Sequence, residues 1–205
     1  MKTTFVSLIA LNLACGLSSA ALVATNLSWE DDGVSNTPLT GWTQTSLGSD
    51  ALDAGDFRVA VDPDNWFPDS TSGNHVLLLE GDNGNEFGSL GQLLTGVAEQ
   101  GTYTFSLLDV GVANFGDNNG ASFTFGFSLD GANFIPGSSL SFTEGVGGFG
   151  SPDNSATALS PSISYDATGL ESELHILITT GSSATGRNVS TIGSSALAFV
   201  AVPEP

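Results

Sequence analysis

One indole set among carboxylates is the feature of this sequence best suited to chemistry. In Val61-Asp62-Pro63-Asp64-Asn65-Trp66-Phe67-Pro68-Asp69-Ser70, Trp66 stands in a Pro/Asp-rich stretch where a core residue is not expected. An exposed indole can stack on the apolar face of a sugar ring while flanking carboxylates and amides take its hydroxyls. Trp66, Asn65 and Asp64 are therefore the candidate ligand-binding residues, with Asp62 and Asp69 beside them. The competing reading is a loop anchor, since large aromatics more often pack than bind.

Other chemistries find less support. Zinc needs clustered His, Cys or carboxylate ligands, and the chain has two histidines, His75 and His175, each beside an apolar run. They read as surface or half-buried strand residues. No Gly-x-Ser-x-Gly elbow, P-loop or dinucleotide fingerprint is present. Two Asp/Asn/Gly-rich stretches, 81–88 and 115–122, lack the spacing and terminal Glu of an EF-hand loop and read as turns. Paired acids of glycosidase type cannot be singled out among 22 carboxylates, because their required separation is spatial. Asp109, within an apolar strand, is the one visible candidate for a buried catalytic carboxylate. Its plainer reading is a sheet-edge or bulge residue in water. No catalytic residue is assigned.

Composition limits the partners. The net charge is −19, with three basic residues, Lys2, Arg58 and Arg187. Such a chain repels phosphate, so no nucleic-acid partner is expected, and anionic membrane surfaces are disfavoured. Divalent cations and neutral polymers such as glycans suit it better. The plain alternative is that acidity keeps an extracellular protein soluble.

The chain opens with Met1-Lys2, an apolar stretch over Phe5–Leu17, and Ser18-Ser19-Ala20. This is the pattern of a secretory signal peptide over residues 1–20, with cleavage expected after Ala20. The alternative, cleavage before Cys15 and lipidation of its thiol, meets Asn12 where a lipobox wants a branched apolar residue. Cys15 is the one cysteine, so cleavage after Ala20 leaves a mature chain without disulfide, thiolate metal site or Cys nucleophile.

Val202-Pro203-Glu204-Pro205 follows an apolar run. This motif resembles the sorting signal of bacterial PEP-CTERM proteins, in which it follows an extracellular domain and precedes a hydrophobic helix and an Arg-rich tail. The resemblance implies exosortase-type processing and a setting of exopolysaccharide and biofilm. The helix and tail do not follow here, so residues 202–205 read as a remnant of the motif. Without an apolar stretch of about 20 residues, no membrane span is expected in the mature chain. The plain alternative is a Pro-rich end that stops a strand from extending.

The elements that must position these residues are strands. Period-2 alternation recurs, and no stretch sustains a 3.6-residue period. Ser122–Leu129 places Phe123, Phe125, Phe127 and Leu129 on one face. Asp130-Gly131 then signals a hairpin. Thr102–Val112 starts with Tyr103, Phe105 and Leu107 inward and then shifts phase, which predicts a β-bulge near Leu107–Leu108. Further strands are expected over Leu22–Trp29, Gly41–Ser46, Phe57–Val61, His75–Gly81, Ser89–Thr95, Thr157–Ala167, Ser172–Thr180 and Ser194–Val202. Thr143–Ser155 reads as a long surface loop. About ten short strands with regular turns argue for an all-β, antiparallel, jelly-roll-like β-sandwich, one domain over residues 22–202.

Asn26–Thr43 (NLSWEDDG…PLTGWT) and Gly88–Gly111 resemble the opening and middle of secreted jelly-roll domains related to carbohydrate-binding modules. The resemblance implies a β-sandwich, Trp29 and Trp42 in its core, and often a structural calcium. In such domains a first-strand Glu and a last-strand Asp help bind the ion. Glu30 matches the first, and Ser195-Ala196-Leu197 stands where the second is expected. Calcium wants six to eight hard oxygens, and a hydroxyl is a weaker ligand than a carboxylate. The metal candidates are thus Glu30 and Asp31, with Asp32 in reserve.

Together these observations point to a secreted, non-catalytic β-sandwich acting in an exopolysaccharide, biofilm or cell-surface matrix and binding glycan. The rival is a secreted calcium-dependent jelly-roll enzyme, cyclase-like or glycan-processing.

Overall fold

The computed structural model describes residues 21–32, 39–47, 57–61, 75–81, 88–112, 120–145, 160–180 and 188–202. Trp66, Asn65, Asp64, Ala20 and Pro203–Pro205 lie outside them.

Alternating apolar side chains force two layers. The first sheet has the order β1 (Thr43–Ser46), β4 (Gly88–Leu93), β9 (His175–Thr180), β6 (Gly120–Ser128), β7 (Phe134–Gly145). The second has the order β2 (Phe57–Val61), β3 (His75–Gly81), β10 (Asn188–Ala201), β5 (Gly101–Val112), β8 (Ser162–Ala167). Each strand pairing is antiparallel. The chain is an all-β, antiparallel β-sandwich of jelly-roll type.

The core lies between the inner faces. Phe123, Phe125 and Phe127 of β6 meet Tyr103, Phe105 and Leu107 of β5, all buried. Phe105 and Phe125 make an edge contact at 6.0 Å between ring centroids, the arrangement favoured by the ring quadrupole. Trp29 and Trp42 are buried, with centroids 5.4 Å apart, as the resemblance implied.

Three local expectations need correction. Residues 22–29 do not form a strand: they make one isolated bridge, Val23 with Thr95. Asn26 and Trp29 take positive φ, 49° and 64°, and a left-handed residue interrupts the alternation of a pleat. The phase shift in β5 falls at Asp109, which has φ 55°, rather than at Leu107–Leu108. The register with β10 is the same on both sides of it, Ile192 facing Val110 and Ser194 facing Leu108. Both strands therefore exchange inner and outer faces together, with no inserted residue. The hairpin signalled by Asp130-Gly131 is present, joining β6 to β7, with positive φ at Gly131, 72°. Last, β7 continues through Gly145, so the loop expected from Thr143 starts later. Phe134 pairs with Ser128 and Ser139 with Gly126, so Ile135-Pro136-Gly137-Ser138 bulges out of the ladder.

Candidate functional site

The outer face of the first sheet carries a cleft of about 230 Å³. Period 2 builds it. On β4, Leu90 and Gln92 point inward and are buried, so Ser89, Gly91 and Leu93 face out. Register then sets Thr43 beside Gly91 and Thr45 beside Ser89 on β1, and His175 of β9 beside Leu93. The opposite wall is the β6–β7 turn at Asp130 and Gly131.

That wall is rigid. The Asp130 carboxylate accepts hydrogen bonds from the Asn133 amide (2.8 Å), the Asn133 and Ala132 N–H groups (2.8 and 2.9 Å) and the Ser128 hydroxyl (3.0 Å). These donors, the Asn133 side chain first, hold its carboxyl well below the usual range. Gly131 lies over the His175 ring, and a Cβ there would stand 3.2 Å from Cε1 and Nδ1. On its other side the His175 Nε2 is 3.3 Å from Glu173 Oε2. Gly91 leaves the floor flat: a Cβ there would meet its nearest atoms, Leu177 Cδ1 and Gly131 O, at 3.7 and 3.8 Å.

The cleft thus offers the Thr43, Thr45 and Ser89 hydroxyls over a glycine floor, with one half-exposed apolar rim residue, Leu93. Hydroxyls both donate and accept, which suits an uncharged polyhydroxylated ligand. Among the described residues no hydrogen bond joins His175 to a lining hydroxyl, so no nucleophile–base pair is assembled there.

A second cavity, about 340 Å³, lies by Leu129, Tyr165, Leu170 and Glu171. Its polar groups are used internally. Glu171 accepts from the Thr168, Gly169 and Leu170 N–H groups and from the Thr168 and Tyr165 hydroxyls, at 2.8–3.1 Å. Burial pushes its carboxyl up, but these donors outweigh burial and hold it at about 2. Burial, then the bond to Glu171 and its charge, pushes the Tyr165 phenol up to about 12.

The remaining sequence candidates are placed as follows. Glu30 is not on a strand, and its two oxygens accept from His75, Oε1 from the backbone N–H (3.0 Å) with Oε2 at 2.5 Å from Nδ1. Asp31 is exposed, and its N–H points to Asn26 Oδ1 at 3.4 Å. Asp32 accepts from the Asn26 amide and from the Thr40 N–H. Ser195, in place of the expected Asp, donates its hydroxyl to the Leu27 carbonyl. Among the described residues no three His, Cys, Asp or Glu side chains converge as a metal-binding group. As placed, the carboxylates that accept N–H donors are those of Glu30 and Asp32. Asp109 is buried, 6% exposed, opposite Gly193 of β10, and lines neither cavity.

The cleft itself escaped sequence reading. Most of its residues are Thr, Ser and Gly, indistinguishable from an ordinary solvent face until register brings three strands and a turn together.

Comparison with solved structures places the architecture. The carbohydrate-binding module TmCBM61, solved with β-1,4-galactotriose, superposes with a TM-score of 0.55 at 13% identity, covering 88% of this chain and 100% of that one. The fold resembles that of carbohydrate-binding modules. The enzymatically active domain of bacteriophage CBA120 tailspike protein 4 matches with a TM-score of 0.52 at 10% identity, over 86% of this chain and 21% of that one. At such identities the likeness is of fold alone, and a fold hosts many functions. No family model and no curated protein matches the sequence. Among the described residues no helix is long and apolar enough to cross a membrane.

Proposed function

We propose that this chain is a secreted, non-catalytic glycan-binding module of an extracellular or cell-surface matrix, holding a neutral polysaccharide in the outer-face cleft of β1, β4 and β9. The observation that carries this reading is the hydroxyl-lined, glycine-floored cleft, whose two walls are fixed by strand register and by the Asp130 turn. The likeness of fold to carbohydrate-binding modules supports it. So does the charge of −19, which disfavours polyanions and leaves neutral polymers as partners. Trp66, with Asn65 and Asp64, is proposed as a stacking contact for the same polymer, and exosortase-type processing at Val202–Pro205 as its route to the surface. Calcium binding at Glu30 would require that carboxylate to leave His75. The enzymatic alternative would rest on Asp109, which is buried in β5.

The test is affinity electrophoresis of the full chain through gels containing neutral polysaccharides, β-1,4-galactan first, with calcium and with chelator. Retardation is expected, with or without calcium. Gly91→Val puts side-chain atoms on the cleft floor, its Cβ at ordinary contact distances, and is expected to weaken retention about tenfold or more. Trp66→Ala tests the stacking contact separately. No retardation by any neutral polymer, or retention untouched by Gly91→Val, would defeat the proposal.

A further inference from the structure

Strand β10 runs past its neighbour. Its pairing with β3 spans Asn188–Ile192, whereas its pairing with β5 continues to Ala201. The Ser195 N–H goes to the Leu27 carbonyl at 2.7 Å, and the Val202 N–H goes to Gln100 O, on the β5 side, at 3.3 Å. Backbone groups alternate sides along an antiparallel strand. Leu197, Phe199 and Ala201 therefore direct their N–H and C=O groups the same way as Ser195, away from β5. The opening segment, which meets Ser195 through Leu27, has by then crossed to the first sheet, where Val23 bonds with Thr95. Among the described residues nothing takes these three N–H groups.

The other edges are defended in the usual ways. β1, β2 and β8 are short, with 4, 5 and 6 residues. β7 is long but broken by the bulge that holds Pro136. Among the described residues the overhang of β10 has no such device. From Asn188 to Val202 there is no charged residue and no proline. Its outward side chains are apolar: Ala196 and Ala198 are exposed, Val200 is 69% exposed and Val202 is 53% exposed.

We propose that the β10 overhang pairs with the same segment of a second copy of this chain, joining the two second sheets edge to edge. The segment is self-complementary. With a two-fold axis at Phe199, Leu197 of each copy faces Ala201 of the other, and the three outward residues form about six ladder hydrogen bonds. Charge selects this occupant. On a chain of net charge −19, a cationic peptide would seek carboxylates, and this edge has none. A second acidic chain can approach closely only where charge is absent. Long-range repulsion still opposes the pair, so association rises with ionic strength.

The test is sedimentation equilibrium of the full chain over a concentration series at low and high salt, with Ala201→Pro and Val200→Lys alongside. Ala201→Pro removes an N–H that has no partner within one copy and leaves the ladder to β5 intact. It should weaken association about tenfold or more, because one bond is lost from each copy. Val200→Lys places like charges across the axis and should do the same. Circular dichroism that matches the parent chain shows that both variants are folded. Hydrogen exchange at Leu197, Phe199 and Ala201 should slow as concentration rises. A chain that is monomeric at every concentration and salt overturns the proposal and leaves the edge to a foreign strand. A dimer indifferent to both substitutions, or one that leaves those amides unprotected, overturns it as well.

Discussion

Gln92→Met should lower stability by about 3 kcal/mol, although it removes no apolar contact. Gln92 is 2% exposed, and its amide takes the place of a missing strand. Its Oε1 accepts the Thr25 N–H at 2.9 Å, and its Nε2 donates to the Thr25 carbonyl at 2.9 Å and to the Gly41 carbonyl at 3.1 Å. Methionine keeps the length and fills the space, so the cavity contribution is small. Three backbone groups lose their partner. Each such bond contributes about 1 kcal/mol net, and the upper range for groups sealed from water does not apply, because Thr25 and Gly41 lie at the surface. The sum is about 3 kcal/mol, a fall in Tm of roughly 6–12 °C for a domain of this size. Urea unfolding followed by tryptophan fluorescence is the assay, with the midpoint moving and the slope constant. Gln92→Glu should be worse than Met at neutral pH, because it turns a carboxylate on two carbonyls, and should recover as pH falls. A loss below 1 kcal/mol for Gln92→Met would refute the claim that this amide stands in for a ladder.

Two glycines on the same outer face should behave oppositely. A Cβ on Gly126 would stand 2.2 Å from the Ser138 carbonyl oxygen and 2.7 Å from Ser139 Cα, so Gly126→Ala should cost about 1–3 kcal/mol by thermal melting. Gly91→Ala meets ordinary contact distances and should be neutral or stabilise by about 0.5–1 kcal/mol. The Glu171 loop sets a pH window. Its folded pKa of about 2 lies below the ordinary 4.5, so its contribution is present above about 4.5 and is lost as pH falls toward 2. Glu171→Gln should flatten the acid limb of a Tm–pH profile over that window. Tyr165, raised from 10.0 to about 12, contributes fully below about 10 and loses its contribution as pH rises through 12. Tyr165→Phe should remove that alkaline loss.

The sandwich was legible where alternation was strong. Phe123, Phe125 and Phe127 on β6 and Tyr103, Phe105 and Leu107 on β5 announce their inner face, because a one-residue slip would expose every ring. It was illegible where a side chain replaces the ladder. Residues 22–29 carry apolar residues as a strand would, but their backbone is met by Gln92, Thr95 and Ser195, two of them from distant strands of opposite sheets. β7 was hidden for the converse reason. Pro136, Gly137 and three serines interrupt the alternation, yet the bulge absorbs Pro136-Gly137 and β6 supplies the ladder on either side. Glu30 was legible as a carboxylate with a task, but the partner waiting for it, His75, lies 45 residues away and had been read as a bystander. Trp66, Asn65 and Asp64 lie outside the described residues, and their role stands as proposed.

The anchor of the opening segment and the wall of the cleft are one mechanical unit. Along β4, Gln92 points into the sandwich while its neighbours Gly91 and Leu93 face the cleft. The Gln92 amide holds the Gly41 carbonyl, and the next residue, Trp42, is buried against Trp29. The residue after that is Thr43, which stands over Gly91 as the far wall of the cleft. Among the described residues β1 has four residues and a single strand neighbour, β4, so its ladder alone is a weak hold. The position of Thr43 and Thr45 therefore depends on a buried amide that does not line the cleft. A glycan bound in this cleft should stabilise the Gln92→Met variant less than the parent chain at the same concentration, because part of its binding free energy goes into ordering β1. Equal stabilisation of both would separate cleft from core and show that the β1 wall is held by its ladder after all.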